Sequence, residues 1–280
     1  MSVYLVVVLA AALHASWNAV VKGGTDKLLS TVLLTSCGAL MATVLLPWLP
    51  QPAPASWPFL AASTLLQVVY FALVARVYHL ADMSQTYPIM RGTAPLLVAL
   101  VSLLWLDDPL PHGALLGIAL ICLGILCMAL NRRAGRGSAK HRLGLQLALL
   151  NAGVIAAYTL VDGLGVRRSG APAAYTLWLF LLTGVLLLGW VLVARRAAFI
   201  TYSQQYWRMG LFAAFGTLAS YGLALWAMTL APVAVIAALR ETSILFGVLI
   251  AGLFLKEKLS PARLLGAAII VLGAVVLRLA

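Results

Sequence analysis

The sequence predicts an all-α integral membrane protein: ten transmembrane helices arranged as two inverted five-helix repeats. Three observations predict it. The 280 residues are 64% hydrophobic and only 9% charged, with mean hydropathy +1.05, against about 25% charged residues in a soluble domain. Ten apolar stretches each approach the roughly 20 residues that cross a hydrocarbon core as a helix. The two halves also carry matching residues at a constant offset, which a single apolar bundle has no reason to show.

In order, the expected spans are 2–21, 28–47, 58–79, 83–106, 112–130, 143–166, 172–194, 207–229, 233–255 and 262–279. Helix-breaking or polar residues separate them. Lys22-Gly-Gly-Thr-Asp-Lys27 closes the first span, and Pro47, Pro50, Pro52, Pro54 and Pro58 punctuate the second connection. Asp107-Asp-Pro-Leu-Pro111 follows the fourth span, and Lys256-Glu-Lys-Leu-Ser-Pro261 follows the ninth. The longest polar stretch divides the chain into a first repeat at 1–130, a basic cytoplasmic linker at 131–142 and a second repeat at 143–280. The first span has no basic segment before it and no clear small-residue cleavage site, so it is expected as a mature helix. Cys37, Cys122 and Cys127 all fall in apolar runs, an odd number with neither a disulfide nor a metal-ligand spacing.

The fourth span contains Tyr87-Pro-Ile-Met-Arg-Gly-Thr-Ala-Pro95, an arginine between two prolines. Each proline removes one helical hydrogen bond, and under-bonded backbone at membrane depth survives only against protein or water. The segment is therefore expected to face a cavity. Arg91 recurs as Arg240, an offset of 149 residues, and the same offset pairs Thr93 with Thr242, Asp108 with Glu257, Gly117 with Gly266 and Gly124 with Gly273. Five spans per half turn the second half over in the membrane, the organisation that places a transporter's site where its repeats meet.

Lysine and arginine set the orientation. With the N-terminus outside, the inward loops collect thirteen of the nineteen basic residues and the outer side only Arg167, Arg168 and Arg278. That bias places both termini on the non-cytoplasmic side of the cell membrane. The net charge of +12 thus reflects membrane orientation, and no nucleic-acid module is present.

Several of these stretches together resemble the EamA-type transporters of the drug/metabolite transporter superfamily. They are the segments 87–95 and 106–111, Ala-Leu-Arg-Glu-Thr-Ser at 238–243, Leu-Lys-Glu-Lys-Leu-Ser at 255–260 and the glycines at 266 and 273; His14-Ala-Ser-Trp-Asn18 resembles one branch. The resemblance covers nearly the whole chain. It implies ten helices in inverted repeats and ATP-independent transport, or export, of small metabolites. The family's usual Gly-Glu-Arg turn is replaced here by Asp107-Asp108-Pro109 and Lys256-Glu257-Lys258. The resemblance also implies cytoplasmic termini, opposite to the charge count, and the count is the reading kept.

The candidate site residues are the polar groups at membrane depth. Arg91 lies roughly 13 Å into its span, near the midplane, and Arg240 is as deep from the other side. Guanidinium presents a planar fork of donors suited to a carboxylate or phosphonate-type anion. The competing reading is an internal ion pair, with Glu241 a partner for Arg91 across helices. Tyr87, one turn before Arg91, and Trp17 are expected to wall the pocket, with Asn18 beside them. His14, Asp162 and Glu241 are the proton-coupling candidates. Equally open readings make His14 and Asn18 interhelical hydrogen-bonders and Asp162, near its span's end, a solvated interfacial carboxylate. No His-Glu-x-x-His, Gly-x-Ser-x-Gly or nucleotide-binding loop occurs, so no enzyme, metal or cofactor is expected. The expected function is secondary transport of an amino-acid-like or anionic metabolite, by a monomer or homodimer, its partners being a small-molecule substrate and the lipid bilayer. The alternatives are an exporter of amphipathic cationic drugs and a non-transporting membrane scaffold.

Overall fold

The computed structural model describes residues 2–22, 26–81, 83–105, 110–130, 139–253 and 260–280. Both polar turns singled out above, at 107–109 and 256–258, and the linker as far as residue 138 lie outside the described residues. The described residues contain only helices and connections. In order these are α1 (Val3–Lys22), α2 (Lys27–Leu45), α3 (Trp57–Leu80), α4 (Met83–Trp105), α5 (His112–Leu130), α6 (Ala139–Ser169), α7 (Pro172–Ala194), α8 (Arg196–Met228), α9 (Val233–Arg240), α10 (Ser243–Leu253) and α11 (Pro261–Leu279). Eight stretches are long and apolar enough to cross a membrane, α9 and α10 counting together as one; Val3–Asn18 and His112–Met128 are apolar but shorter. The chain is a multi-pass membrane protein.

The helix ends follow local chemistry. Asp26 caps α2, its carboxylate accepting from the amides of Leu28 and Leu29 at 3.0 and 3.1 Å, which satisfies donors a first turn leaves open. Proline occupies the first turn of α3, α7 and α11, where its missing N–H costs nothing. Gly170, with φ 64°, supplies the left-handed residue that ends α6.

Two helices exceed the expected spans. The sixth runs from Ala139 to Ser169, and the eighth begins at Arg196, eleven residues before the expected start at 207. The early part of α8 is a packed extension. Phe199 and Tyr202 are buried with Leu29, Val32 and Leu33 of α2. The hydroxyls of Tyr202 and Ser30 are 2.6 Å apart, and Arg195 pairs with Asp26 at 3.2 Å. The polar residues between these contacts conceal the helix from a hydropathy reading.

Helix α4 runs unbroken through Pro88 and Pro95. Its counterpart in the second half has no proline at the matching positions, 237 and 244, yet is the one that is interrupted. Around Glu241 and Thr242 the amides of Glu241, Thr242, Ile244 and Leu245 bond carbonyls three residues back, those of Ala238, Leu239, Glu241 and Thr242. The helix is overwound into a 3₁₀ turn there, a common form of helical hinge.

Some helix pairings recur when the two halves are exchanged. Helix α3 packs on α6 as α8 packs on α1, and α2 on α8 as α7 on α3. Helices α2 and α7, α4 and α9, and α5 and α11 pair across the halves. The last contact is made by the repeated glycines. A Cβ on Gly117 would lie 2.9 Å from the Gly273 carbonyl oxygen, and one on Gly124 would lie 2.7 Å from that of Gly266. Backbones this close admit no side chain, which is why glycine recurs at these four positions. The residue numbers fall on α11 as they rise on α5, so these two equivalent helices run antiparallel.

Candidate functional site

The deep polar residues converge where α4, α6 and α9 meet. Arg91 on α4 donates from Nε to Glu241 Oε2 at 2.8 Å. Arg91 is 9% exposed and Glu241 5%. Glu241 reaches across because it follows the last residue of α9, in the overwound turn that directs it toward α4. Arg240 and Glu241 project in different directions, about 100° apart around a helix. Glu241 thus serves the first-half arginine while Arg240 points elsewhere.

Arg240 makes no ion pair with a carboxylate among the described residues. At the 149-residue offset the position matching Glu241 is Gly92, which has no side chain to offer a carboxylate. Arg240 instead lies over the ring of Tyr221 on α8, its Cζ 4.8 Å from the ring centroid. A cation over an aromatic face is attracted by the ring quadrupole. The Tyr221 hydroxyl donates to Asp162 Oδ2 at 2.5 Å, and Tyr175 on α7 donates to Oδ1 at 3.2 Å. Asp162 is fully buried. The reading of Asp162 as a solvated interfacial carboxylate is therefore wrong. Helix α6 continues to Ser169, and two tyrosines from neighbouring helices close over the carboxylate.

Arg91, Arg240 and Glu241 line a cleft with Tyr158, Thr159, Ile155, Ala94, Pro95, Val98 and Ala237. The cleft has room for only about one water molecule. An organic metabolite enters only if the walls separate. The structure therefore has a constricted centre.

The remaining sequence candidates sit outside this cleft. Tyr87, Trp17, Asn18 and His14 are not among its lining residues. The Asn18 amide donates to the carbonyl of His14 at 2.9 Å, a bond within α1. His14 and Trp17 meet edge to face at 5.2 Å, and Trp17 packs on Gly216 of α8. Its buried indole N–H has no hydrogen-bond partner among the described residues. The expected pocket wall of Tyr87 and Trp17 gives way to Tyr158 and the aliphatic residues of α4 and α6. Tyr221 and Tyr175 are the site residues that sequence reasoning missed. Tyr221 lies among Ser, Gly and Ala in an apolar span, where an aromatic reads as packing.

The second asparagine of interest, Asn151, is fully buried one turn before Ile155. Its amide donates to the thioether of Met90 at 3.1 Å, and its carbonyl has no partner among the described residues. On the far ends of the helices, Arg167 donates to the carbonyls of Met228 and Ala231 at 2.7 and 2.9 Å. It closes the C-terminal end of α8, where a cation also meets the helix dipole favourably.

Comparison with known proteins agrees with this architecture. No curated protein matches the chain. One solved crystal structure superposes with a TM-score of 0.73 at 19% identity, over 99% of this chain and 95% of its own, which shows a shared fold. The sequence model of the EamA-like transporter family matches residues 1–130 and again 142–279, one match on each side of the basic linker. The chain belongs to the EamA-like transporter family.

Proposed function

We propose that the protein is a secondary transporter that moves a small organic metabolite bearing a carboxylate or phosphonate-type anion, amino-acid-like compounds included, across the cytoplasmic membrane. The observation that carries this reading is the convergence of two repeat-related arginines and one acid on a single cleft. The cleft wall holds one more cation than anion, because glycine replaces glutamate at position 92. An excess charge in a low-dielectric setting is costly, and an anionic ligand relieves it. Arg240 makes the first contact in this scheme, because Arg91 is already held by Glu241. Export is the direction that the family resemblance favours.

The two halves act as inverted repeats rocking about the cleft. The antiparallel packing of α5 on α11, and the α3–α6 and α8–α1 pairs that exchange between the halves, support this arrangement. The overwound turn at Glu241 and Thr242 is the hinge, and its movement separates Glu241 from Arg91. Protons drive the cycle, with Glu241, Asp162 and His14 as the carriers. Uptake of labelled small carboxylates into proteoliposomes tests the reading. Accumulation under an imposed pH gradient is expected. Uptake that ignores the pH gradient but rises with a sodium gradient removes the proton, and no uptake of any carboxylate removes the substrate class.

The charge bias supports an orientation with both termini outside the cytoplasm. A reporter active only in the cytoplasm, fused after Ala280, is expected to be silent in cells. Strong activity reverses the orientation.

A further inference from the structure

Arg240 and Arg91 are equivalent in the repeat but are held in different ways. Arg91 has a carboxylate at 2.8 Å, and Arg240 has an aromatic face. The two restraints leave different parts of the guanidinium available. A carboxylate occupies in-plane N–H donors, whereas a ring covers one face and leaves the in-plane donors open. The ring under Arg240 is itself fixed. Tyr221 Oη donates to Asp162 at 2.5 Å, Asp162 is held from its other oxygen by Tyr175, and Phe180 meets the Tyr221 ring edge to face at 6.1 Å. Arg240 lies between this platform and the cleft: it lines the cleft and Tyr221 does not.

We propose that Tyr221, anchored by Asp162, is a positioning residue that selects for planar oxyanions by holding Arg240 flat with its donor edge toward the cleft. The inference rests on the proposed anion site and deepens it. A flat, edge-presented guanidinium makes two parallel bonds to a carboxylate or to two oxygens of a phosphonate, while a neutral amide of the same shape offers only one acceptor. The platform thus sets the ratio of anion to amide affinity rather than the affinity of the apolar part. Asp162 contributes by fixing the ring plane, and its carboxylate stays behind the ring, away from the substrate.

The test uses the purified full-length protein and three probes of one shape: phenylacetate, phenylacetamide and phenethylamine. Each is titrated by ligand-induced thermal shift against the wild type, Tyr221→Phe, Tyr221→Leu and Arg240→Ala. The wild type is expected to bind phenylacetate in preference to the other two. Tyr221→Leu removes the face, and a stacking interaction of this kind corresponds to about a tenfold weaker phenylacetate affinity. Phenylacetamide affinity is expected to stay the same. Tyr221→Phe keeps the ring and loses only the bond to Asp162, so it is expected to lower the anion-to-amide ratio less than Tyr221→Leu does. It also keeps the test valid if the leucine variant fails to fold. An unchanged ratio in Tyr221→Phe, or in a folded Tyr221→Leu, overturns the proposal, as does equal weakening of both probes. If Arg240→Ala abolishes the anion preference and both Tyr221 variants retain it, only the positioning role falls. If Arg240→Ala also retains it, or the wild type has none, the anion site itself falls with it.

Discussion

Arg91→Ala is expected to destabilise the protein by about 3–5 kcal/mol, because it leaves the Glu241 carboxylate buried and unpaired. The two groups are 2.8 Å apart and almost wholly buried, so solvent compensates little for the loss of either. Glu241→Ala is expected to cost a similar amount by stranding Arg91. The double variant removes both charges, and most of the loss should return, less the packing of two long side chains. The melting temperatures of the four proteins in one detergent form the cycle. Additive losses would mean that the pair is not coupled. A near-neutral Arg91→Ala would mean that the carboxylate has water or another partner. The cycle also assigns Arg91 its role: a residue that mainly neutralises Glu241 loses stability when removed, and substrate affinity follows only in proportion.

Arg240→Lys is expected to behave in the opposite way, with little change in melting temperature and about a tenfold or greater loss of affinity for carboxylate ligands. Lysine keeps the charge but has neither the planar fork nor a face to lay on Tyr221. No ion pair is broken, since Arg240 has no carboxylate partner among the described residues, so the stability cost is confined to the ring contact of Arg240 over Tyr221. Arg240→Ala should be close to Arg240→Lys in affinity. If lysine restores most of the affinity that alanine loses, charge alone matters and the fork does not. The contrast between the two arginines follows from one difference between the repeats, glutamate at 241 against glycine at 92.

The all-α, multi-pass architecture was legible in the sequence because hydropathy and helix length are local. The 149-residue offset identified the glycines as well. The residues at 117, 124, 266 and 273 meet in two pairs across α5 and α11. The start of α8 was hidden because its first turns bury Phe199 and Tyr202 among polar neighbours, a tertiary effect that an average over the stretch conceals. Arg91, Arg240 and Glu241 stood out as charges in apolar spans, and burial of charge is costly wherever it occurs. Their partners were less legible. Tyr221 and Tyr175 matter because α7 and α8 bring them to Asp162, and no spacing along one helix encodes that meeting. His14 and Asn18 share a helix face in the sequence, but the Asn18 amide bonds the carbonyl of His14 within α1 and Trp17 beside them packs on α8, contacts that no spacing along α1 encodes.

The central claim is that the cleft carries an anionic metabolite by way of Arg240. Counterflow in proteoliposomes tests it most directly, because exchange needs no driving ion and reports transport rather than binding. Vesicles loaded with a mixture of small carboxylates and phosphonates are diluted into a trace of labelled carboxylate, and the wild type is compared with Arg240→Ala at matched melting temperature. The account predicts a transient accumulation of label in the wild type. It also predicts that unlabelled carboxylates suppress the signal, amphipathic cations do not, and Arg240→Ala has none. Accumulation that persists in Arg240→Ala, or that is driven by hydrophobic cations in place of carboxylates, would contradict it.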